Sequence, residues 1–150
     1  MLEEGRLPDL TEAFFRATRH WDIGLHFNKG LAGASAEAIE VTRATAINPI
    51  AIESFALAIC GGGEGPCYPG VSGHEPHVEK ARSNCTSIRL AVEELRKVVT
   101  NVGSYWSESD YFESNWEHAF WGEHATRLLT AKERSDPGGL FGVHHGIAAH

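Results

Sequence analysis

The chain has no apolar run approaching the roughly 20 residues that a membrane-spanning helix requires. Its first ten residues, MLEEGRLPDL, are acidic where a signal peptide would be basic and then apolar. The expectation is therefore a soluble, cytoplasmic chain with no membrane partner. Basic residues are in the minority: 13 Lys and Arg against 20 Asp and Glu give a net charge of −7. That balance argues against general nucleic-acid binding, which uses clustered Lys and Arg. Cysteine is scarce too. Cys60, Cys67 and Cys85 are odd in number and contain no CxxC pair, which fits reduced thiols better than a disulfide framework or a zinc site. Cys60 and Cys67 flank a glycine-rich loop and could still pair, whereas Cys85 falls on a helix seam and reads as a small core residue.

What remains is an ordinary globular composition, with 42% hydrophobic and 22% charged residues. The 150 residues make one domain's length, with no internal repeat and no second-domain linker. Residues 9–20 place Leu10, Phe14 and Ala17 at helical spacing, with Asp9 or Thr11 as the cap. In residues 21–28, Trp21, Ile23, Leu25 and Phe27 alternate with polar or small residues, predicting a half-buried strand whose polar face carries His26. Ser35 opens a helix to about Ile47, stopped at Asn48–Pro49. Residues 52–60 read as a helical turn running into a buried strand.

The following loop, GGGEGPCYPGVSGHEP, is long and rich in glycine. It lacks both the Gly-Lys-Ser/Thr ending of a P-loop and the spacing of a dinucleotide fingerprint, so a mobile or substrate-edge loop carrying His74 is expected. A long helix is predicted from about Glu75 to Val99, because Val78, Ala81, Cys85, Ile88, Val92, Leu95 and Val99 step by three and four. Glu93 and Lys97 are expected to pair on its outer side. Gly103 to Trp106 reads as a short strand, and residues 107–115 as an acidic loop. A second helix, from Trp116 to about Arg134, gathers Trp116, Phe120, Trp121, Leu128 and Ala131 on one face, with His124 near its middle and Glu117 beside it. A histidine there needs a carbonyl partner, a cofactor or an opening. Asp136–Pro137–Gly138–Gly139 stops that helix and LFGV begins an extended segment. The expected fold class is α+β, a small, mainly antiparallel sheet covered by long helices.

The chain then runs VHHGIAAH, a histidine cluster that could be a metal site, an arbitrary tail or part of something larger. Residues 103–146 answer this as a set. Tyr105, Glu108, Trp116, Phe120–Trp121–Gly122, Arg127–Leu128, Lys132, Asp136–Pro137 and Leu140–Phe141 resemble, in order, the C-terminal segment of berberine bridge enzyme-like FAD-linked oxidases of the vanillyl-alcohol oxidase superfamily. HFNKGLAGA from His26 and YPGVSGHEP from Tyr68 look like the bacterial and fungal branch of that family.

The resemblance implies FAD as cofactor and a small-molecule substrate. It also implies that the histidines are family sequence near the flavin, so no metal is expected from His144, His145 and His150. Tyr105, Glu108 and His124 become the candidate catalytic residues, Tyr105, His144 and His145 the flavin-edge residues, and His26 and His74 the substrate-side residues. The family's N-terminal FAD domain is not recognisable here. The expectation is thus a partial substrate domain with a berberine-like segment at about 104–147, which needs an FAD-bearing chain or associates with itself. Where relatives carry WG-x-N-Y, this chain has Trp121–Gly122–Glu123–His124–Ala125, which bears on how flavin is contacted. Two alternatives stand beside the split oxidase: a flavin-free binding module, and an acid/base isomerase or cyclase using His124, Glu117, Tyr105 or His74.

Overall fold

A computed structural model describes residues 5–28 and 30–148. The fold is α+β, and the described chain divides into two compact units, residues 1–27 with 56–100 and residues 28–55 with 101–150. The first unit contains helix α1 (Leu7–Ala17), strands β1 (Gly24–Phe27) and β2 (Ala56–Ile59), and helix α4 (Val78–Arg96). The second contains α2 (Ala36–Arg43), α3 (Ile50–Glu53), α5 (Trp116–Trp121), α6 (Ala125–Ser135) and 3-10 turns at Trp106–Glu108 and Gly122–His124.

In the first unit, α1 and α4 pack on small residues. Leu10, Ala13, Ala17 and Ala91 are buried, and their narrow side chains let the two helices approach. Arg16 reaches from α1 to Glu94 on α4 at 2.9 Å, and Lys97 binds the same carboxylate. Those partners, Lys97 first, hold the Glu94 carboxyl below the usual range. Lys97 therefore pairs three residues back to Glu94, not four back to Glu93 as its spacing suggested. Neither Asp9 nor Thr11 caps α1. The helix starts at Leu7 with Pro8 in its first turn, and the Thr11 hydroxyl donates to Leu7 O.

Strands β1 and β2 pair antiparallel, Gly24 opposite Ile59 and Phe27 opposite Ala56. The predicted alternation forms a strand, but it does not bury one. Phe27 is 76% exposed and Leu25 37%, and among the described residues the sheet has two strands. Alternation shows what a strand can cover, while burial needs a facing layer. Trp21 is half-buried, its Nε1 donating to Gly61 O at 2.9 Å. A Cβ on Gly62 would lie 2.7 Å from that indole, so part of the glycine loop is a seat for Trp21. The stripe of α4 is likewise covered only in part. Val78 and Ala81 are exposed, and Cys85, Ile88, Val92 and Leu95 are half-buried.

The second unit is organised by Asn48. Its Nδ2 donates to Ala119 O at 2.9 Å and to His118 O at 3.3 Å, while its Oδ1 accepts from Ile50 N at 3.1 Å. One carboxamide thus ties the start of α3 to the end of α5. Gly122 sits against it with φ +53° and ψ −134°, a backbone state open to glycine, and a Cβ there would stand 2.7 Å from Asn48 Oδ1. The helix predicted from Trp116 to Arg134 is therefore broken. α5 ends at Trp121, a 3-10 turn follows, and α6 resumes at Ala125. Phe120, 3% exposed, is the buried aromatic of this unit. Ser35 caps α2 as expected, accepting from Ala38 N, but α2 ends at Arg43, short of Ile47. The strand expected at Gly103 to Trp106 is absent among the described residues. Ser104 N instead donates to Ala119 O, and Gly103 lies where a Cβ would meet Ile50 at 2.3 Å.

After α6 the chain is clamped by Asp136. Its carboxylate accepts from Leu140 N at 2.9 Å and Phe141 N at 3.0 Å, and it pairs with Lys132, which also donates to Phe141 O. The expected extended segment at Leu140–Val143 is consequently a bend held by side-chain bonds rather than a strand. The Lys132 ammonium, followed by the Phe141 N–H, holds the Asp136 carboxyl down to about 2.

Two outcomes test this architecture. Asn48→Ala and Gly122→Ala should each cost about 1–3 kcal/mol, the first through the loss of its hydrogen bonds to His118 O, Ala119 O and Ile50 N and the second through a left-handed backbone. Their urea midpoints should be non-additive, because Gly122→Ala clashes with the group that Asn48→Ala removes. Additivity within about 0.5 kcal/mol would refute a shared contact. The Asp136 clamp lowers the folded pKa, so its contribution is complete above about pH 4 and is lost as pH falls through about 2. Carbon NMR of the Asp136 carboxyl should give a midpoint near 2, rising toward about 4 in Lys132→Met; a midpoint near 4 in the parent chain would contradict the clamp.

Candidate functional site

The histidine pair builds the site. Gly146 N donates to Val143 O at 2.9 Å, closing a four-residue turn with His145 third and at φ +54°. That is the position where a turn of this kind favours Gly or Asn, and histidine tolerates it better than branched residues do. Gly146 is buried, and a Cβ there would stand 2.7 Å from the Val143 side chain. The turn presents two imidazoles to two aromatic rings from residues 111–116. His144 stacks on Tyr111 with centroids 3.9 Å apart and planes 14° apart, and the two imidazoles follow each other at 3.8 Å. His145 then stacks on Trp116 at 5.4 Å and 12°. The result is a ladder, Tyr111–His144–His145–Trp116. Phe120 lies beside its inner end, 6.1 Å from His145.

A cleft of about 430 Å3 opens on the ladder, lined by Trp106, Ser107, Ser109, Tyr111, His144 and His145. Tyr105 and Glu108 belong to the same 3-10 turn region as Trp106 and Ser107, but they are exposed and are not part of this lining. Tyr111 and Trp106 were missed by sequence reading as site residues. The signal available was the aromatic content of an acidic loop otherwise without period.

His124 sits elsewhere in the unit. Its side chain is 12% exposed, its Nε2 stands 4.0 Å from Glu123, and its Nδ1 is buried without a partner. Glu117 instead borders a small cavity of about 120 Å3 with Trp121, Ala125, Leu129 and Ile147, and His124 is not in that lining. The Trp121 indole N–H is also buried without a partner.

His26 and His74 belong to the first unit. His26 is exposed on β1 opposite Leu57. His74 is exposed in a closed turn, accepting from Tyr68 N at 2.8 Å through its carbonyl, with its ring edge-on to Tyr68 at 5.7 Å. Cys60, Cys67 and Cys85 are free thiols, so the possible Cys60–Cys67 pair is not formed. Burial pushes the Cys60 thiol up. Among the described residues no three His, Cys, Asp or Glu side chains form a metal-holding group, and His150 lies outside those residues. No helix among the described residues is long and apolar enough to cross a membrane.

The donor set can be tested against FAD. The aromatic and imidazole rings of the cleft, with two serine hydroxyls, fit the edge of a planar heteroaromatic ring. The glycine loop does not fit a diphosphate. Lys80 of α4 is engaged by the loop's Glu64 at 3.0 Å, Asn84 of α4 also binds Glu64, and the Gly73 N–H donates to Glu75.

The model of the berberine and berberine-like family matches residues 104–148. An uncharacterized FAD-linked oxidoreductase of Arthroderma benhamiae is 36% identical over 63 residues, covering 42% of this chain and 11% of that protein. The FAD-linked oxidoreductase ffsJ of Aspergillus flavipes is 34% identical over 59 residues, 39% of this chain and 10% of that protein. The flavin-dependent oxygenase ucdF of Aspergillus ustus is 42% identical over 48 residues, 32% of this chain and 9% of that protein. The chain thus spans about a tenth of the length of these relatives. No solved structure matches it. Cleft and ladder fall wholly inside residues 104–148, the stretch of this chain that is similar to the berberine and berberine-like family.

Proposed function

We propose that this chain supplies the flavin-edge and substrate-side portion of an FAD-dependent oxidoreductase. The FAD would be anchored mainly by another chain or by residues beyond those described. The observation that carries this reading is the coincidence of the family match with the cleft: Trp106, Ser107, Ser109, Tyr111, His144 and His145 all lie within residues 104–148. The similarity to two FAD-linked oxidoreductases supports it. When bound, the flavin would supply the electron acceptor, and the protein's part would be to position and to exclude water. His144 and His145 would meet the ring edge, while Tyr105 and Glu108, exposed beside the cleft-lining Trp106, would face a small-molecule substrate. His124 has a different environment. Its unpartnered Nδ1 makes it a candidate proton-transfer group for that substrate.

An edge contact alone binds weakly, because the diphosphate and adenine contribute much of the recognition of FAD. The isolated chain should therefore leave FAD fluorescence largely unquenched at micromolar concentration and consume no oxygen with candidate substrates. Co-purification with an FAD-bearing partner should restore a yellow complex. Tight one-to-one binding by the chain alone, with oxygen uptake, would sink the reading of shared anchoring.

A further inference from the structure

The His144 ring makes one polar contact that fixes its chemistry. Its Nε2 lies 2.8 Å from the main-chain oxygen of Tyr111, and the ring stacks on the Tyr111 side chain. A carbonyl oxygen only accepts, so Nε2 carries the hydrogen, and in the neutral ring Nδ1 carries the lone pair. The His145 imidazole, 3.8 Å away, and the Tyr111 ring, 3.9 Å away, restrict rotation of the ring about its stacked position. His144 also lines the cleft and is exposed.

We propose that Tyr111 is the positioning residue for His144, locking it in the Nε2–H tautomer, and that Nδ1 of His144 accepts a hydrogen bond from a planar ligand bearing an N–H or O–H donor at its edge. The ligand class follows from the lining. Stacked aromatic rings select a flat molecule, and the Nδ1 acceptor of His144 selects one that brings a donor to that atom. Two sources share that chemistry, the imide N–H of a flavin ring and the hydroxyl of an aromatic substrate. The proposal rests on the flavin-edge reading for its first probe only. The tautomer itself is measured with no flavin present, so the two readings can fail separately.

The experiment is a long-range proton–nitrogen spectrum of the nitrogen-labelled chain, well above the ordinary histidine range of about 6.5. His144 should show two fully separated ring nitrogens, with Nδ1 of pyridine type and Nε2 of pyrrole type. Tyr111→Phe, which keeps the stack and the carbonyl, should preserve the pattern. Tyr111→Ala keeps that carbonyl but removes the ring that holds the imidazole over it, so it should move the pattern toward the averaged shifts of free imidazole; Tyr111 is 62% exposed, so the truncation is at the surface. Averaged shifts in the parent chain, or a pyrrole-type Nδ1, would overturn the assignment, as would an unchanged pattern in Tyr111→Ala. The chain is then titrated to millimolar probe with lumiflavin against 3-methyllumiflavin, and with phenol against anisole. His144 Nδ1 should shift at least threefold more with the donor-bearing member of one pair. A response to the first pair identifies the flavin ring as the source, and a response to the second identifies the substrate. Equal shifts within both pairs, or no shift with any probe, would refute the acceptor role.

Discussion

The second unit depends on one side-chain amide. Asn48 donates to the carbonyls at the end of α5 and accepts from the first N–H of α3, so two segments far apart in sequence share a single hydrogen-bonding hub. The carbonyls it serves sit where Gly122 turns the backbone out of helical geometry and leaves them without a continuing helix. Everything after that turn, including α6 and the clamp at Asp136, takes its direction from it. Arg127 adds a second tie by donating to Thr45 O, close to the same corner.

Beyond that corner, a succession of small constraints ends at the imidazoles. Asp136 and Lys132 bend residues 136–141, Gly146 closes the next turn, and His145 occupies a left-handed conformation at its third position. None of these contacts is strong in isolation. Together they leave the two histidine rings few alternatives to stacking between Tyr111 and Trp116. A left-handed histidine in an exposed loop would relax; here the ladder and the turn over-determine it.

The sequence was most informative where periodicity and capping act locally. Ser35 caps a helix, Leu10 and Ala17 face α4, and the pattern at residues 21–27 pairs as a strand. It was least informative where one distant group decides. Nothing near Gly122 announces that Asn48 lies against it, so a continuous apolar face concealed a broken helix. The exposure of Phe27 was equally hidden, since alternation carries no information about whether a second layer exists. The family resemblance singled out the histidines, yet their stacking on Tyr111 and Trp116 was visible only in the fold. His124 shows the converse. Its unusual placement on an apolar face was visible in the residues, and its buried Nδ1 without a partner is the structural counterpart.

The interleaving of the two units has a consequence for synthesis on the ribosome. The first unit is drawn from residues 1–27 and 56–100, so its parts are all available once Thr100 has emerged. Residues 28–55 are made early, but Asn48 bonds to Ala119, 71 positions later, and Thr45 to Arg127, 82 positions later. At ordinary translation rates that gap is on the order of ten seconds. Through that interval Asn48 has its local partner, Ile50 N, but neither of the carbonyls it donates to. The parts of the first unit are thus all synthesised before the second unit's long-range bonds, and the rings of the ladder, can form.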